Sequence, residues 1–95
     1  MKILAIENEM EGVEWNHLAL LLKEEAQHVY GLYLRGTLRE IYFTENKNAV
    51  LVLETEDKAT ALQILETLPL VKAGKIKFEV MELRPYTGYE RLMNP

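Results

Sequence analysis

Hydrophobic and polar positions alternate along this chain with two different periods. At the amino end Ile3, Leu4 and Ile6 precede Glu7, Glu9 and Glu11, which predicts a strand over residues 2 to 9 that leaves the core at Glu7. From about Glu14 to Leu34 the period lengthens: Trp15, Leu18, Leu22, Ala26, Val29 and Tyr33 recur every three or four residues, the spacing of one helix face, and Gly36 stops it. Leu38 to Thr44 is rich in Ile, Tyr and Phe, and Glu45-Asn46-Lys47-Asn48 reads as the turn of a hairpin into Ala49-Val50-Leu51-Val52-Leu53. A second helix is expected with Thr55 as N-cap, an apolar stripe of Ala59, Leu62, Leu65 and Leu68, and Pro69 closing it. After a connection containing Gly74, Ile76, Phe78 and Val80 alternate with Lys77 and Glu79 in a fourth strand that runs to Leu83, with Pro85 beyond it.

The order βαββαβ predicts an α+β, ferredoxin-like domain spanning residues 1–95, in which two helices cover one face of a four-stranded antiparallel sheet. In that topology the first and third strands are central. Here they are Ile3-Leu4-Ala5-Ile6 and Ala49-Val50-Leu51-Val52-Leu53, apolar on both faces. Two helices cover one face, and no third helix is expected for the other. A second copy packed face to face across a two-fold axis covers it most simply, so a homodimer is expected, against the alternative of a short apolar patch left exposed on a monomer. Tyr86, Tyr89 and Leu92, three residues apart in the tail from Pro85 to Pro95, are expected to dock on the same subunit or on its twin.

Composition narrows the function. With 95 residues, 48% hydrophobic and 27% charged, the chain is one small globular domain, which at this size buries only about 60 to 65% of its unfolded surface. The absence of cysteine excludes disulfides, zinc–thiolate sites and thiol nucleophiles, so any catalysis uses oxygen or nitrogen groups. A net charge of −4 without a basic stripe argues against nucleic acid as a partner. The longest apolar runs, five residues, fall far short of the roughly 20 that a membrane helix needs. The amino end has neither the length nor the cleavage site of a signal peptide, which makes a cytoplasmic location the expectation. Small molecules and protein partners remain.

On the first helix, steps of about 100° put Glu25 inside the apolar arc, between Leu18, Leu21, Val29 and Leu32. Burial raises a carboxyl pKa, so Glu25 is the candidate catalytic acid or base, and the competing reading pairs it with Arg39 or Arg35. His28, four residues after Glu24 and along the same edge as His17, is a candidate alternate base, against the plainer reading of a solvated pair. Eleven helical residues would separate the two histidines by about 16 Å, and no metal site is expected. Simple alternation sets Tyr42 with Leu38 and Glu40 on one strand face and Arg39 with Ile41 and Phe43 on the other. If the Arg39 face looks into a cavity, its guanidinium anchors a ligand carboxylate, and otherwise it is a surface or interface charge. Tyr33 and Tyr42 are candidates to position a ring-shaped ligand, a role that competes with packing.

The stretch Leu68-Pro69-Leu70-Val71, followed by Ala73-Gly74, Ile76-Lys77-Phe78-Glu79-Val80, Leu83 and Pro85-Tyr86, resembles the carboxyl-terminal half of muconolactone isomerase-like proteins. These belong with the YCII-like proteins to the dimeric α/β barrel group. Glu24-Glu25-Ala26-Gln27-His28-Val29-Tyr30, Arg39-Glu40-Ile41-Tyr42-Phe43 and Glu90-Arg91-Leu92 look like uncharacterised bacterial members of that branch. The resemblance implies a ferredoxin-like subunit whose sheet packs on its twin, and a cofactor-independent proton transfer on a small cyclic or unsaturated acid. In it Glu25 would move the proton, Arg39 would hold the anionic end, and no cofactor would be needed. The alternative is a non-catalytic ligand-binding or structural dimer of the same fold.

Overall fold

The computed structural model describes residues 1–93. Its elements follow the order β1 (Lys2–Glu9), α1 (Ala19–Leu34), β2 (Leu38–Phe43), β3 (Ala49–Glu54), α2 (Lys58–Glu66), α3 (Pro69–Lys72) and β4 (Ile76–Leu83), with a 3₁₀ turn over Gly88–Leu92. The sheet order is β2-β3-β1-β4, every neighbouring pair antiparallel, with β1 and β3 central as the pattern demanded. This is the ferredoxin-like α+β arrangement.

Three boundaries differ from expectation, each for a local reason. Helix α1 begins at Ala19, not near Glu14, because His17 holds a left-handed backbone angle (φ 62°) that no helix accommodates. Trp15 and His17 therefore sit in the preceding loop, and His17 does not share a helix with His28. Asp57, rather than Thr55, caps α2: its carboxylate accepts the Thr60 N–H at 2.7 Å, while the Thr55 hydroxyl donates to the Asp57 carbonyl. Pro69 opens the short α3 instead of only closing α2, since its missing N–H costs nothing in a first helical turn. Helix α3 packs against α1 and α2, on the face they already cover.

Strand β2 carries one further difference. Leu38 pairs with Leu53 and Glu40 with Val52, so Arg39 is an extra residue in a β-bulge. The bulge reverses the alternation. Leu38, Ile41 and Phe43 share the helix-covered face, while Glu40 and Tyr42 lie on the opposite one beside Val52 and Val50. The expected grouping of Tyr42 with Leu38 fails for this reason.

Under the helices the sheet forms cross-strand rows. The first, Leu38, Leu53 and Ile3, is 0 to 2% exposed and packs with Leu32 of α1 and Ala61 and Leu65 of α2. In the next, Ile41, Leu51 and Ala5, the middle of the sheet loses bulk. In the third, Phe43, Ala49, Glu7 and Phe78, the two central strands carry an alanine and a carboxylate where the first row has Leu and Ile. On the opposite face Leu4 lies between Val52 and Met81, and Ile6 pairs with Val50. All five are half-buried, and no helix among the described residues covers them.

Candidate active site

Where the central rows lose bulk toward one end, a space of about 540 Å³ opens between α1 and the sheet. Its floor is Leu51, Ala49, Phe43 and Phe78, and its roof is Leu22, Ala26, Val29 and Tyr33 of α1. Trp15 closes part of the wall, and its indole Nε1 is buried without a hydrogen-bond partner among the described residues. Such an unmet donor costs about 1 to 3 kcal/mol, which an acceptor on a ligand would recover.

Two carboxyl groups enter this apolar space from opposite layers. Glu25, from the roof, accepts the Leu70 N–H at 2.9 Å through Oε1, and its Oε2 has no hydrogen-bond partner among the described residues. Burial raises its pKa, and the Leu70 N–H and nearby His28 offset this only in part. Glu7, from the floor, is 9% exposed. Burial raises its pKa as well; the Ala49 N–H works against that rise, and the charges of Glu9 and Glu25 add to it. Glu7 and Glu25 thus face a common cavity as two carboxyls that resist ionising together. Glu9 and Lys47 also line the cavity, and Lys47 is the one Lys or Arg among its described lining residues.

Of the residues singled out in the sequence, Glu25 and Tyr33 line the cavity together, Tyr33 stacking with Tyr30 at 6.3 Å between ring centres. His28 points elsewhere. Its Nε2 lies 3.0 Å from the Thr67 hydroxyl, which already donates to the Ile64 carbonyl at 2.6 Å. The hydroxyl has one proton to give, so His28 must donate to it through Nε2–H, which ties the ring to the α2–α3 junction. Arg39, at the bulge, donates from Nε to the Gly36 carbonyl at 2.7 Å and does not line the cavity. No ion pair joins it to Glu25 among the described residues, so the competing reading of Glu25 as a salt-bridge partner gives way to the Leu70 contact. Tyr42 donates to Glu40 at 3.0 Å on the far side of the sheet, a bond that raises its phenol pKa. Glu7 was missed in the sequence because it opens an acidic run. Its parity with Ile3 and Ala5 is the signal that places it on the inner face.

The molecule is thus an α+β ferredoxin-like domain with a carboxyl-bearing apolar cavity between its layers. No family model matches the chain, and no curated protein matches it in sequence. Among solved structures it is similar to 5-chloro-2-hydroxyhydroquinone dehydrochlorinase (TftG) from Burkholderia phenoliruptrix AC1100, in complex with 2,5-dihydroxybenzoquinone. The two share 18% identity with a TM-score of 0.63 over 93% of this chain and 98% of that one. That likeness establishes a common fold. No helix among the described residues is long and apolar enough to cross a membrane.

Proposed function

We propose that the chain is a homodimeric, cofactor-independent proton-transfer enzyme, muconolactone isomerase-like in its chemistry, that acts on a small unsaturated ring. The observation that carries this reading is Glu25: a carboxylate fixed by one backbone N–H in an apolar cavity, its second oxygen open to a ligand. A base with a raised pKa is a stronger proton acceptor at neutral pH than an ordinary carboxylate. Glu25 Oε2 takes a proton from a ring carbon next to a carbonyl, and the electron pair moves onto the carbonyl oxygen. Return of the proton at a second carbon completes the isomerisation. The Trp15 indole Nε1–H, buried without a partner among the described residues, is a donor available to the developing oxyanion.

The lining also bears on substrate charge. Three carboxyl groups and one lysine disfavour an anionic acid, and Arg39, expected as its anchor, lies outside. A neutral ring bearing hydroxyl or carbonyl oxygens suits the cavity better. The dihydroxybenzoquinone held by the structural neighbour is an unsaturated ring bearing hydroxyl and carbonyl oxygens, which supports the reading of an oxygen-bearing ring as ligand. The half-buried patch of Leu4, Ile6, Val50, Val52 and Met81 supports the dimer. The test is turnover of a panel of neutral and anionic lactones and cyclic enols. Glu25→Gln, which keeps an acceptor for the Leu70 N–H, should retain the fold and lower turnover about 10²- to 10⁴-fold. Full activity in that variant would defeat the proposal.

A further inference from the structure

The cavity holds a second carboxyl that the proton transfer proposed above leaves idle. Strand parity brings Glu7 there: Ile3, Ala5 and Glu7 fall on the inner face of β1, and the cross-strand row at Glu7 is Phe43, Ala49, Glu7 and Phe78. A carboxyl only 9% exposed in such a row is costly to ionise, and an aliphatic side chain would fill the place without that cost. No Lys, Arg or His forms an ion pair with it among the described residues. Each of the two carboxyls is instead held by one backbone N–H from an element other than its own. The Leu70 N–H of α3 holds Glu25 at 2.9 Å, and the Ala49 N–H of β3 holds Glu7. One anchor belongs to the helix layer and the other to the sheet.

The walls decide how a ring lies between them. Ala49, Leu51 and Phe78 lie below, and Leu22, Ala26 and Val29 above. A flat ring buries most apolar surface when both of its faces meet these walls. It then lies along the sheet, with Glu25 on its helix side and Glu7 on its sheet side.

We infer that Glu7 is a second catalytic residue: Glu25 removes a proton from one face of the ring, and Glu7 delivers a proton to the opposite face at the far end of the shifted double bond. In a β,γ-unsaturated cyclic ketone or lactone, Glu25 Oε2 bonds a hydrogen of the carbon between carbonyl and double bond. The C–H electron pair forms the new ring double bond, and the carbonyl pair moves onto oxygen, where the Trp15 N–H meets it. The Glu7 O–H then breaks as its hydrogen bonds the γ carbon, and the oxygen's pair re-forms the carbonyl. Glu25 is left protonated and Glu7 ionised. Once product departs, water carries the proton from Glu25 back to Glu7, so none is gained or lost overall. The surroundings suit these roles. Burial raises both pKa values; at Glu7 the Ala49 N–H opposes the rise and the charges of Glu9 and Glu25 add to it, while at Glu25 the Leu70 N–H and His28 both oppose it. On that balance a proton shared by the pair belongs on Glu7. This rests on the proton transfer proposed above and adds to it a second group and a stereochemical course.

The probe is a single enantiomer of 5-methylcyclohex-3-enone in heavy water, its methyl group marking one face of the ring. NMR reads deuterium at C2 of recovered ketone and at C4 of the product, 5-methylcyclohex-2-enone. With wild type the two deuterium atoms should lie on opposite faces relative to the methyl group. Glu7→Gln, which keeps an acceptor for the Ala49 N–H, should still exchange hydrogen at C2 through Glu25, while conversion to product falls about 10²- to 10⁴-fold. Glu7→Asp should restore part of that conversion. Deuterium on one face at both carbons would overturn the second residue and leave Glu25 as the sole base, as would conversion that is unchanged in Glu7→Gln or falls there only in step with C2 exchange. Wild type that neither exchanges nor converts the probe would overturn both readings. If Glu7→Gln does not fold, the wild-type labelling decides alone.

Discussion

The two ends of the layer between helices and sheet are built on one backbone plan and come out opposite in character. At one end Leu38, Leu53 and Ile3 meet Leu32, Ala61 and Leu65 and exclude water almost completely. At the other the same strands present Phe43, Ala49 and Glu7, and the helix above presents Ala26 and Glu25. Side-chain volume contributes to the difference, since alanine at the sheet centre leaves space that leucine would fill. The closed end supplies stability, and the open end gives up some of it for a cavity that holds one buried carboxyl, Glu7, and one half-buried, Glu25. Such a division lets a small domain hold a preorganised cavity on a well-packed base.

Three substitutions sharpen this contrast. Leu53→Ala should have the largest effect on folding, costing about 2 to 5 kcal/mol in urea denaturation because it opens a void in a filled row. Ala49→Leu should do the reverse at the open end. It should close the cavity and abolish binding of a neutral ring compound, read by Trp15 fluorescence, while changing stability by no more than about 1.5 kcal/mol. A ligand bound undiminished in Ala49→Leu would place the site elsewhere. Glu7→Gln should have the smallest effect, and it depends on pH. A carboxyl whose pKa is raised on folding favours the native state while it is protonated and loses that benefit as pH rises from 4.5 through the raised value. Melting temperatures should therefore show Glu7→Gln more stable than wild type at pH 7, with the gain shrinking toward pH 4.5. A gain that stays constant with pH would remove burial of the Glu7 charge as its cause.

Strand and helix order, the central position of β1 and β3, and the apolar character of both sheet faces were legible in the sequence, because period and composition are local signals that burial then confirms. Glu25 was legible for the same reason, as a charge out of place on an apolar helical arc. What escaped depends on single backbone events. The bulge at Arg39 turns Tyr42 to the far face, and no alternation rule announces it. The left-handed angle at His17 takes Trp15 off the helix and into the cavity wall. The partner of Glu25 is a backbone N–H forty-five residues away, at the start of a helix too short to show a period. Where a charged partner is the usual answer for such a carboxylate, this chain uses a peptide group. The segment Leu68-Pro69-Leu70, which carried most of the family resemblance, proves to be the piece that positions Glu25.

The central claim is that Glu25 moves a proton within this cavity, and exchange of substrate hydrogen with solvent tests it most directly. Neutral cyclic enones and lactones are incubated with the protein in heavy water, and deuterium entering the ring is followed by NMR across pH. Wild type should exchange catalytically, with a rate that climbs as pH rises through a midpoint above 4.5, the ordinary value for a glutamate. In Glu25→Gln both the exchange and its pH dependence should disappear while the fold persists. Exchange that survives unchanged in Glu25→Gln would contradict the account.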